Sequence, residues 1–179
     1  MKKKYIISGI PGTGKSTLIK SLNSLGFPVM EEISRSVILS EQDKKSNGTP
    51  WQDIEYFTEL VYTKTLLSLE NNKNAIFSDR SLLDNIAYLQ NKNKRVPNKI
   101  LNFPFQQFYE SKVFYAPAWE EIYCNDPQRP ENFDALIPLN NLLKECYLKM
   151  GFKLCIIPKV SVKKRTEFIL SQIQKCTFN

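Results

Sequence analysis

Three glycines, a lysine and a hydroxyl pair lie close together in the stretch GIPGTGKST near the start of the chain. The stretch fits G-x-x-x-x-G-K-[ST], the spacing of a loop whose backbone N–H groups surround phosphate oxygens. Glycines let successive N–H groups turn inward, and the positive end of the following helix adds to anion binding. We therefore expect a site for ATP with Mg²⁺. The expected cofactor-binding residues are Gly9, Gly12, Thr13, Gly14, Lys15, Ser16 and Thr17.

Each polar residue of this loop has an expected role. Lys15 should reach the β- and γ-phosphates, Ser16 should bind Mg²⁺, and Thr17 should donate to the α-phosphate. The loop alone does not identify the phosphate acceptor, because switch GTPases, motor ATPases and small-molecule kinases share it.

Two charged residues, Asp79 and Arg80, follow the apolar run AIFS. Asp79 occupies the place of an acid that holds Mg²⁺ through water, although a carboxylate at a helix start needs no such role. Arg80 suits a phosphate or a substrate carboxylate, and the alternative is a surface ion pair. We predict that Asp79 is a metal residue and that both side chains are catalytic, with Arg80 also contacting the substrate.

A pair of glutamates, Glu31 and Glu32, follows the second predicted strand. Extended neighbours point to opposite sides, so only one of them should face the site. Arg35 lies one helical turn beyond Glu32 and is expected to orient it. We predict that Glu32 accepts the proton of an acceptor hydroxyl and that Arg35 helps to bind the substrate, although a helix dipole also favours glutamates without catalysis.

The polar segment NDPQRPENFD contains Asp126 and Arg129 and is too polar to be core. One interpretation is a lid over 117–133 that closes Arg129 over the phosphates and excludes water, with Asp126 on the substrate. An ordinary surface loop is the alternative. The dispersed aromatic residues are expected to be mostly core.

The candidate residues are far apart in the sequence, so strands and helices must bring them together. Apolar runs and turn signals predict five strands, over 5–8, 27–30, 75–78, 112–116 and 153–157. Helical periodicity predicts helices over 16–25, 31–42, 50–70, 82–90 and 136–150 and from 161 onward. Thr49 is the expected N-cap of the third helix, with Gln52 completing a capping box, and Ser81 is the expected N-cap of the fourth.

Strands that alternate with helices predict an α/β fold with a parallel sheet covered on both faces. Ligands bind such sheets at the carboxyl ends of the strands. The phosphate loop, Glu32 and Asp79 each follow a predicted strand, so we expect them to converge at one sheet edge.

Composition limits the function classes. The chain has 179 residues, which fit one domain over 1–179, and no apolar run approaches the roughly 20 residues that span a bilayer. A net charge of +7 favours anionic partners, and the four cysteines lack a C-x-x-C pair. Without histidine, any catalytic base must be a carboxylate. We expect a cytoplasmic protein with no DNA-binding module.

Beyond these separate features, the motifs GIPGTGKSTLIKSL, VMEEISRSVI and FSDRSLLDNIAY resemble the AAA-type P-loop family that includes the ribosylnicotinamide kinase domain of bacterial NAD regulators. The resemblance continues through VFYAPAWEEIYCNDPQRPENFD to the last predicted helix. It implies a three-layer nucleoside-kinase-like fold with sheet order 2-3-1-4-5. It places Glu32, Arg35, Asp79, Arg80, Asp126 and Arg129 at recurrent polar positions of the family.

Two functions follow as hypotheses. The first is a Mg-ATP-dependent kinase that phosphorylates a hydroxyl of a small, nucleoside-like molecule. The second is a nucleotide-dependent switch or ATPase that acts on a protein or lipid partner. NKNK at 91–94 lacks the acidic residue of a guanine-reading N-K-x-D motif, which weakens GTP specificity.

Overall fold

The computed structural model describes residues 2–124 and 132–174. Five strands form one parallel sheet in the order β2-β3-β1-β4-β5, as the resemblance implied. The strands are β1 (Lys4–Ser8), β2 (Val29–Met30), β3 (Phe77–Asp79), β4 (Tyr109–Tyr115) and β5 (Lys153–Ile156).

Helices cover both faces of this sheet. They are α1 (Lys15–Ser24), α2 (Ile33–Asp43), α3 (Ile54–Asn71), α4 (Leu82–Asn91), α5 (Asn98–Leu101), α6 (Phe105–Phe108), α7 (Ile137–Lys149) and α8 (Val162–Gln174). Two 3₁₀ turns, Glu120–Ile122 and Asp134–Leu136, lie between β4 and α7. Among the described residues, no helix has the length and apolar character needed to cross a bilayer.

The alternation of side chains along the central strands creates two cores. Ile6 packs with α2, α3, α4 and α7, whereas its neighbour Ile7 packs with α1 and α8. Val113 and Phe114 of β4 divide in the same way. Strands buried on both faces are therefore continuously apolar, which explains why short apolar runs predicted them.

Register aligns the carboxyl ends of four strands. Ile7 of β1 pairs with Asp79 of β3, and Ser8 pairs with Tyr115 of β4. Met30, the last residue of β2, pairs with Ser78. The loops after β1, β2 and β3 therefore leave the sheet at one edge, which confirms the expected convergence.

The start of α3 differs from the prediction. Thr49 and Gln52 do hydrogen-bond to each other through their side chains, at 2.6 Å, but they belong to a separate turn. The helix begins at Ile54, because the Asp53 carboxylate accepts the backbone N–H groups of Glu55 and Tyr56. Asp53 is thus the N-cap, and the prediction for Thr49 was wrong.

Three smaller differences concern element lengths. β4 begins three residues before its predicted start, and β2 and β3 are shorter than predicted. The short helices α5 and α6 had not been predicted. Each is a single turn of four residues, too short to show helical periodicity in the sequence.

Candidate phosphate-transfer site

The loop between β1 and α1 has a backbone conformation that depends on glycine. Gly12 and Gly14 have φ values of 81° and 75°, in the left-handed region. A Cβ atom at Gly12 would lie 2.3 Å from the Tyr123 ring, and one at Gly14 would lie 2.8 Å from a guanidinium nitrogen of Arg165. The backbone conformation therefore favours glycine at both positions, and a larger residue would also have to displace the Tyr123 ring or the Arg165 guanidinium.

The N-terminus of α1 opens onto this loop. Its N-cap is Gly14, which has no side chain to hydrogen-bond to the first-turn N–H groups. These groups carry the positive end of the helix dipole. An anion is the ligand that such a helix end favours.

Lys15 is the cation of this loop and is only 6% exposed. Its Nζ donates to the Ile10 carbonyl oxygen at 2.7 Å and to Thr13 Oγ1 at 3.3 Å. Burial, followed by repulsion from Arg80, lowers the pKa of Lys15 to about 7, although nearby carboxylates oppose the shift. An arriving phosphate would favour the charged ammonium.

Arg80 connects three elements at the sheet edge. Its Nε donates to Glu32 Oε1 at 2.9 Å, and its Nη1 donates to the Gly9 carbonyl oxygen and to Asp84 Oδ1, both at 3.0 Å. Burial opposes the charge, but Glu32 and other anionic neighbours raise the pKa of Arg80 well above its usual value. Arg80 therefore forms buried ion pairs. The sequence-based alternative had been an ion pair at the protein surface.

The backbone at Arg80 is also unusual, with φ at 71°. The Ser78 hydroxyl donates to the Arg80 carbonyl oxygen at 2.7 Å and holds this turn. Non-glycine residues in this region carry strain that their surroundings must offset. The strained turn directs the guanidinium toward Glu32 and Gly9.

Asp84 is the acceptor at the centre of a buried network that the sequence analysis missed. Its Oδ1 accepts from Ser8 Oγ at 2.8 Å as well as from Arg80. Its Oδ2 accepts from the Ser81 N–H at 3.0 Å and from the Tyr147 hydroxyl at 2.5 Å. The S-x-x-D spacing was the available signal, since Ser81 and Asp84 form a capping box.

Of the two glutamates after β2, Glu32 faces the site and Glu31 is exposed. Burial would raise the pKa of Glu32, but the charges of Arg80 and Lys15 lower it overall. Among the described side chains, Arg80 rather than the exposed Arg35 hydrogen-bonds to Glu32. The expected contact across one turn of α2 is thus replaced by a long-range pair.

Asp79 ends β3 with one oxygen unpaired. It is 6% exposed, and its Oδ1 has no hydrogen-bond partner among the described residues. Burial, followed by the charge of Glu32, raises the pKa of Asp79 to about 6. A buried carboxylate oxygen without a donor fits a hard cation such as Mg²⁺.

Few protein ligands are available for such a cation. Ser16 is half-buried at the start of α1, and Thr17 beside it is exposed. The described residues contain no group of three or more acidic, cysteine or histidine side chains that is able to hold a metal. A metal here would therefore need phosphate oxygens besides Ser16 and Asp79.

The segment after β4 lies over the phosphate loop as far as it is described. Asp126 and Arg129 lie outside the described residues, so their roles and the lid remain predictions. Arg165, from α8, donates to the Thr13 carbonyl oxygen at 3.0 Å and lies 5.7 Å from the centre of the Trp119 ring. This contact was not predicted from the sequence.

A narrow cleft opens beside Arg80 between α2, α3 and α4. The space it encloses is only about 10 Å³, so its walls lie close together. Its lining combines apolar and uncharged polar side chains with Asp79 and Arg80: Met30, Ile33, Ser34, Val61, Thr65, Ser81, Asn85 and Tyr109. Glu32 does not line the cleft itself, but it pairs with Arg80, which does.

The family model described as AAA domain matches residues 4–165. The chain belongs to this family. No curated protein sequence matches the chain significantly.

Solved structures of several kinases share the fold. Deoxyadenosine kinase from M. mycoides, with dCMP and dCDP bound, has a TM-score of 0.67 at 19% identity, covering 96% of this chain and 99% of that one. Shikimate kinase from Aquifex aeolicus has a TM-score of 0.60 at 17% identity, covering 98% of both chains. Thymidylate kinase from Candida albicans has a TM-score of 0.62 at 16% identity, covering 98% of this chain and 92% of that one. The predicted P-loop fold of nucleoside-kinase type is confirmed.

Proposed function

We propose that this protein is a P-loop kinase that transfers the γ-phosphoryl group of ATP to a hydroxyl of a small, nucleoside-like molecule. The observation that carries the proposal is the position of Glu32. Arg80 holds this carboxylate at the edge of a cleft and also hydrogen-bonds to the Gly9 carbonyl oxygen of the phosphate loop. Acceptor and donor sites would thus meet at one sheet edge.

The donor site would use the phosphate loop and its cation. The N–H groups of α1 and the Lys15 ammonium would bind the triphosphate. Ser16 and Asp79 would hold Mg²⁺, which in such enzymes neutralises charge on the phosphates. Thr13 and Thr17 lie beside these groups, and Arg129 remains a predicted lid arginine.

The acceptor site would use Glu32. Its Oε1 is occupied by Arg80, and no described residue donates to Oε2. An acceptor hydroxyl could donate to Oε2 and then attack the γ-phosphorus. The new O–P bond forms as the bond to the β-phosphate oxygen breaks, ADP leaves, and the hydroxyl proton passes to Glu32.

Arg80 would act mainly by positioning. Three of its hydrogen bonds go to Glu32, Gly9 and Asp84, so the guanidinium fixes the carboxylate relative to the loop. Its charge lies near both Lys15 and Glu32. Arg35 would contribute only an exposed positive charge beside the site.

The test is Glu32→Gln, assayed with ATP, Mg²⁺ and a panel of nucleosides and related alcohols. We expect ATP affinity close to that of the wild type and phosphoryl transfer slower by about 10² to 10⁴-fold. Glu31→Gln is the matched control, because Glu31 is the exposed neighbour. Unchanged transfer in Glu32→Gln would remove the proposed role. ATP turnover that no acceptor accelerates would favour the nucleotide-dependent switch.

A further inference from the structure

Besides Asp79, two polar groups of the cleft have no hydrogen-bond partner among the described residues. The Tyr109 side chain is 1% exposed, and its hydroxyl has no hydrogen bond among the described residues. The Ser78 hydroxyl lies beside it and donates to the Arg80 carbonyl oxygen, so toward Tyr109 it can act only as an acceptor. A buried hydroxyl without a full set of partners is destabilising, so at the wall of a cleft it is a group that a ligand would satisfy.

The second group is the carboxamide of Asn85 on α4. Asn85 is 5% exposed and lines the same cleft. Within residues 2–124 and 132–174, no side-chain hydrogen bond to it is formed. A carboxamide both donates and accepts, so it can recognise a neutral polar group such as an amide or a hydroxyl.

The charges around the cleft favour some acceptors over others. Arg80 is the one cation among the described lining residues, and it is already paired with Glu32 and Asp84. Asp79 adds a third carboxylate to this region. Lys15 belongs to the phosphate loop, and Ser34 and Thr65 are neutral. No unpaired cation of the described lining is therefore available to an acceptor's negative group.

We propose that this cleft selects an uncharged or cationic hydroxyl-bearing acceptor over an anionic one, with Tyr109 and Asn85 recognising its polar groups. The inference rests on the proposed kinase function. It distinguishes among the acceptors of proteins with this fold, since a nucleoside is neutral while thymidylate and shikimate are anions. Like charges placed together in a desolvated site cost several kcal/mol, which supplies the selectivity.

Among the described residues outside the cleft lining, Arg35 is one whose positive charge would favour an anionic acceptor. It is an exposed cation on α2, close enough to lower the pKa of Glu32, but it does not line the cleft. An anionic acceptor would need Arg35 to turn inward. Arg35→Gln therefore belongs in the experiment.

The experiment compares matched acceptors with ATP and Mg²⁺. Adenosine, deoxyadenosine, deoxycytidine and thymidine are each assayed against their own 5′-monophosphates, with shikimate as a second anion and 1-methyladenosine as a cation. We expect kcat/KM for the best neutral or cationic acceptor to exceed that for every anion by about 100-fold. Arg35→Gln should leave this order unchanged.

Two failures are distinguishable in these data. Faster transfer to a monophosphate or to shikimate, lost in Arg35→Gln, would overturn the charge selection and leave the kinase proposal standing. Failure of every acceptor to accelerate ATP turnover would contradict the kinase proposal and this inference together.

Tyr109→Phe tests recognition by the hydroxyl alone. We expect KM for the preferred acceptor to rise by about 10-fold, with ATP affinity measured without acceptor unchanged. The melting temperature should not fall, because the lost hydroxyl has no protein partner. Tyr56→Phe is the matched control, since Tyr56 is 42% exposed on α3. An unchanged KM, or a lower melting temperature with a matching loss of ATP affinity, would overturn the role of Tyr109.

Discussion

Helices α1 and α4 both begin at the carboxyl edge of the sheet, but their N-termini are satisfied in opposite ways. At α4, Ser81 and Asp84 form a capping box, and the Asp84 carboxylate also accepts from Ser8, Arg80 and Tyr147. At α1, no side chain caps the first turn. Beside α1, the pKa of Lys15 is lowered and Asp79 Oδ1 has no described partner.

The paired α4 end has the features of a structural support, and the α1 end has those of a ligand site. Nearly all buried polar groups in native proteins are paired, so a group left unpaired indicates a missing partner or stored strain. The α4 end would hold Arg80 and Glu32 in place. The α1 end would bind the triphosphate and its metal. Without them, its unpaired polar groups would lower the stability of the folded protein.

The largest expected effect tests the scaffold. Asp84→Ala removes an acceptor from a buried network and leaves Arg80 with one carboxylate partner. We expect the free energy of unfolding to fall by about 3 to 5 kcal/mol, measured by urea denaturation. Asp84→Asn should cost less, because its amide oxygen can still accept. If the alanine variant loses less than about 1 kcal/mol, the Asp84 network does not contribute substantially to the free energy of unfolding.

A smaller effect concerns the unpaired carboxylate near α1. The pKa of Asp79 is raised from 3.8 to about 6 in the folded protein, so the folded state binds the proton more tightly than the unfolded state. The stability that this proton contributes is present below about pH 4 and is lost as the pH rises through about 6.

Asp79→Asn checks this assignment by denaturation across the same pH range. In the wild type, we expect the free energy of unfolding to decline by about 1 to 3 kcal/mol over this pH range. The variant should not show this decline. Glu31→Gln should keep the decline. An unaltered pH profile in Asp79→Asn would show that Asp79 is not the group that titrates.

The smallest effect tests the α4 cap together with the hydrogen bond between the Ser81 and Tyr147 hydroxyls. Ser81→Ala removes the hydroxyl that accepts the Leu83 N–H. We expect a loss of about 1 kcal/mol in the free energy of unfolding. Ser24→Ala, at the exposed end of α1, is the control and should change stability by less than about 0.5 kcal/mol. Equal losses in both variants would contradict the difference between the helix ends.

The sequence predicted features that depend on neighbours along the chain. The glycine loop, the five strands and the Ser81 cap are set by residue type and short spacing. The meeting of Glu32, Asp79 and Lys15 followed because each lies just after a strand or in a loop at a strand end. The rule that parallel strands end at one edge then places them together.

Pairings over long distances along the chain were not predictable in this way. The contact of Ser8 with Asp84 spans 76 positions, and that of Thr13 with Arg165 spans 152. Such contacts depend on helix packing against the sheet, which periodicity does not specify. Arg80 was expected at the phosphates, but its pairing with Glu32 and Asp84 appears only in the fold.

Helix N-caps are also hard to predict from the sequence, because more than one residue with a capping side chain can precede the same helix. Thr49 and Asp53 both precede α3 with capping side chains. Asp53 accepts two N–H groups, while the Thr49 hydroxyl donates to Gln52. Sequence spacing alone favoured Thr49, which has Gln52 three positions later, over the nearer acid.

The most direct test of the phosphate site is calorimetric titration of the folded protein with Mg-ATP at about pH 8, in two buffers of different ionisation enthalpy. Lys15 has a pKa of about 7 without ligand, and a bound phosphate should restore its charge. We predict one-to-one binding with net proton uptake, and loss of that uptake in Lys15→Met. Absence of binding to the folded wild-type protein, or proton uptake that Lys15→Met leaves unchanged, would contradict the proposed site.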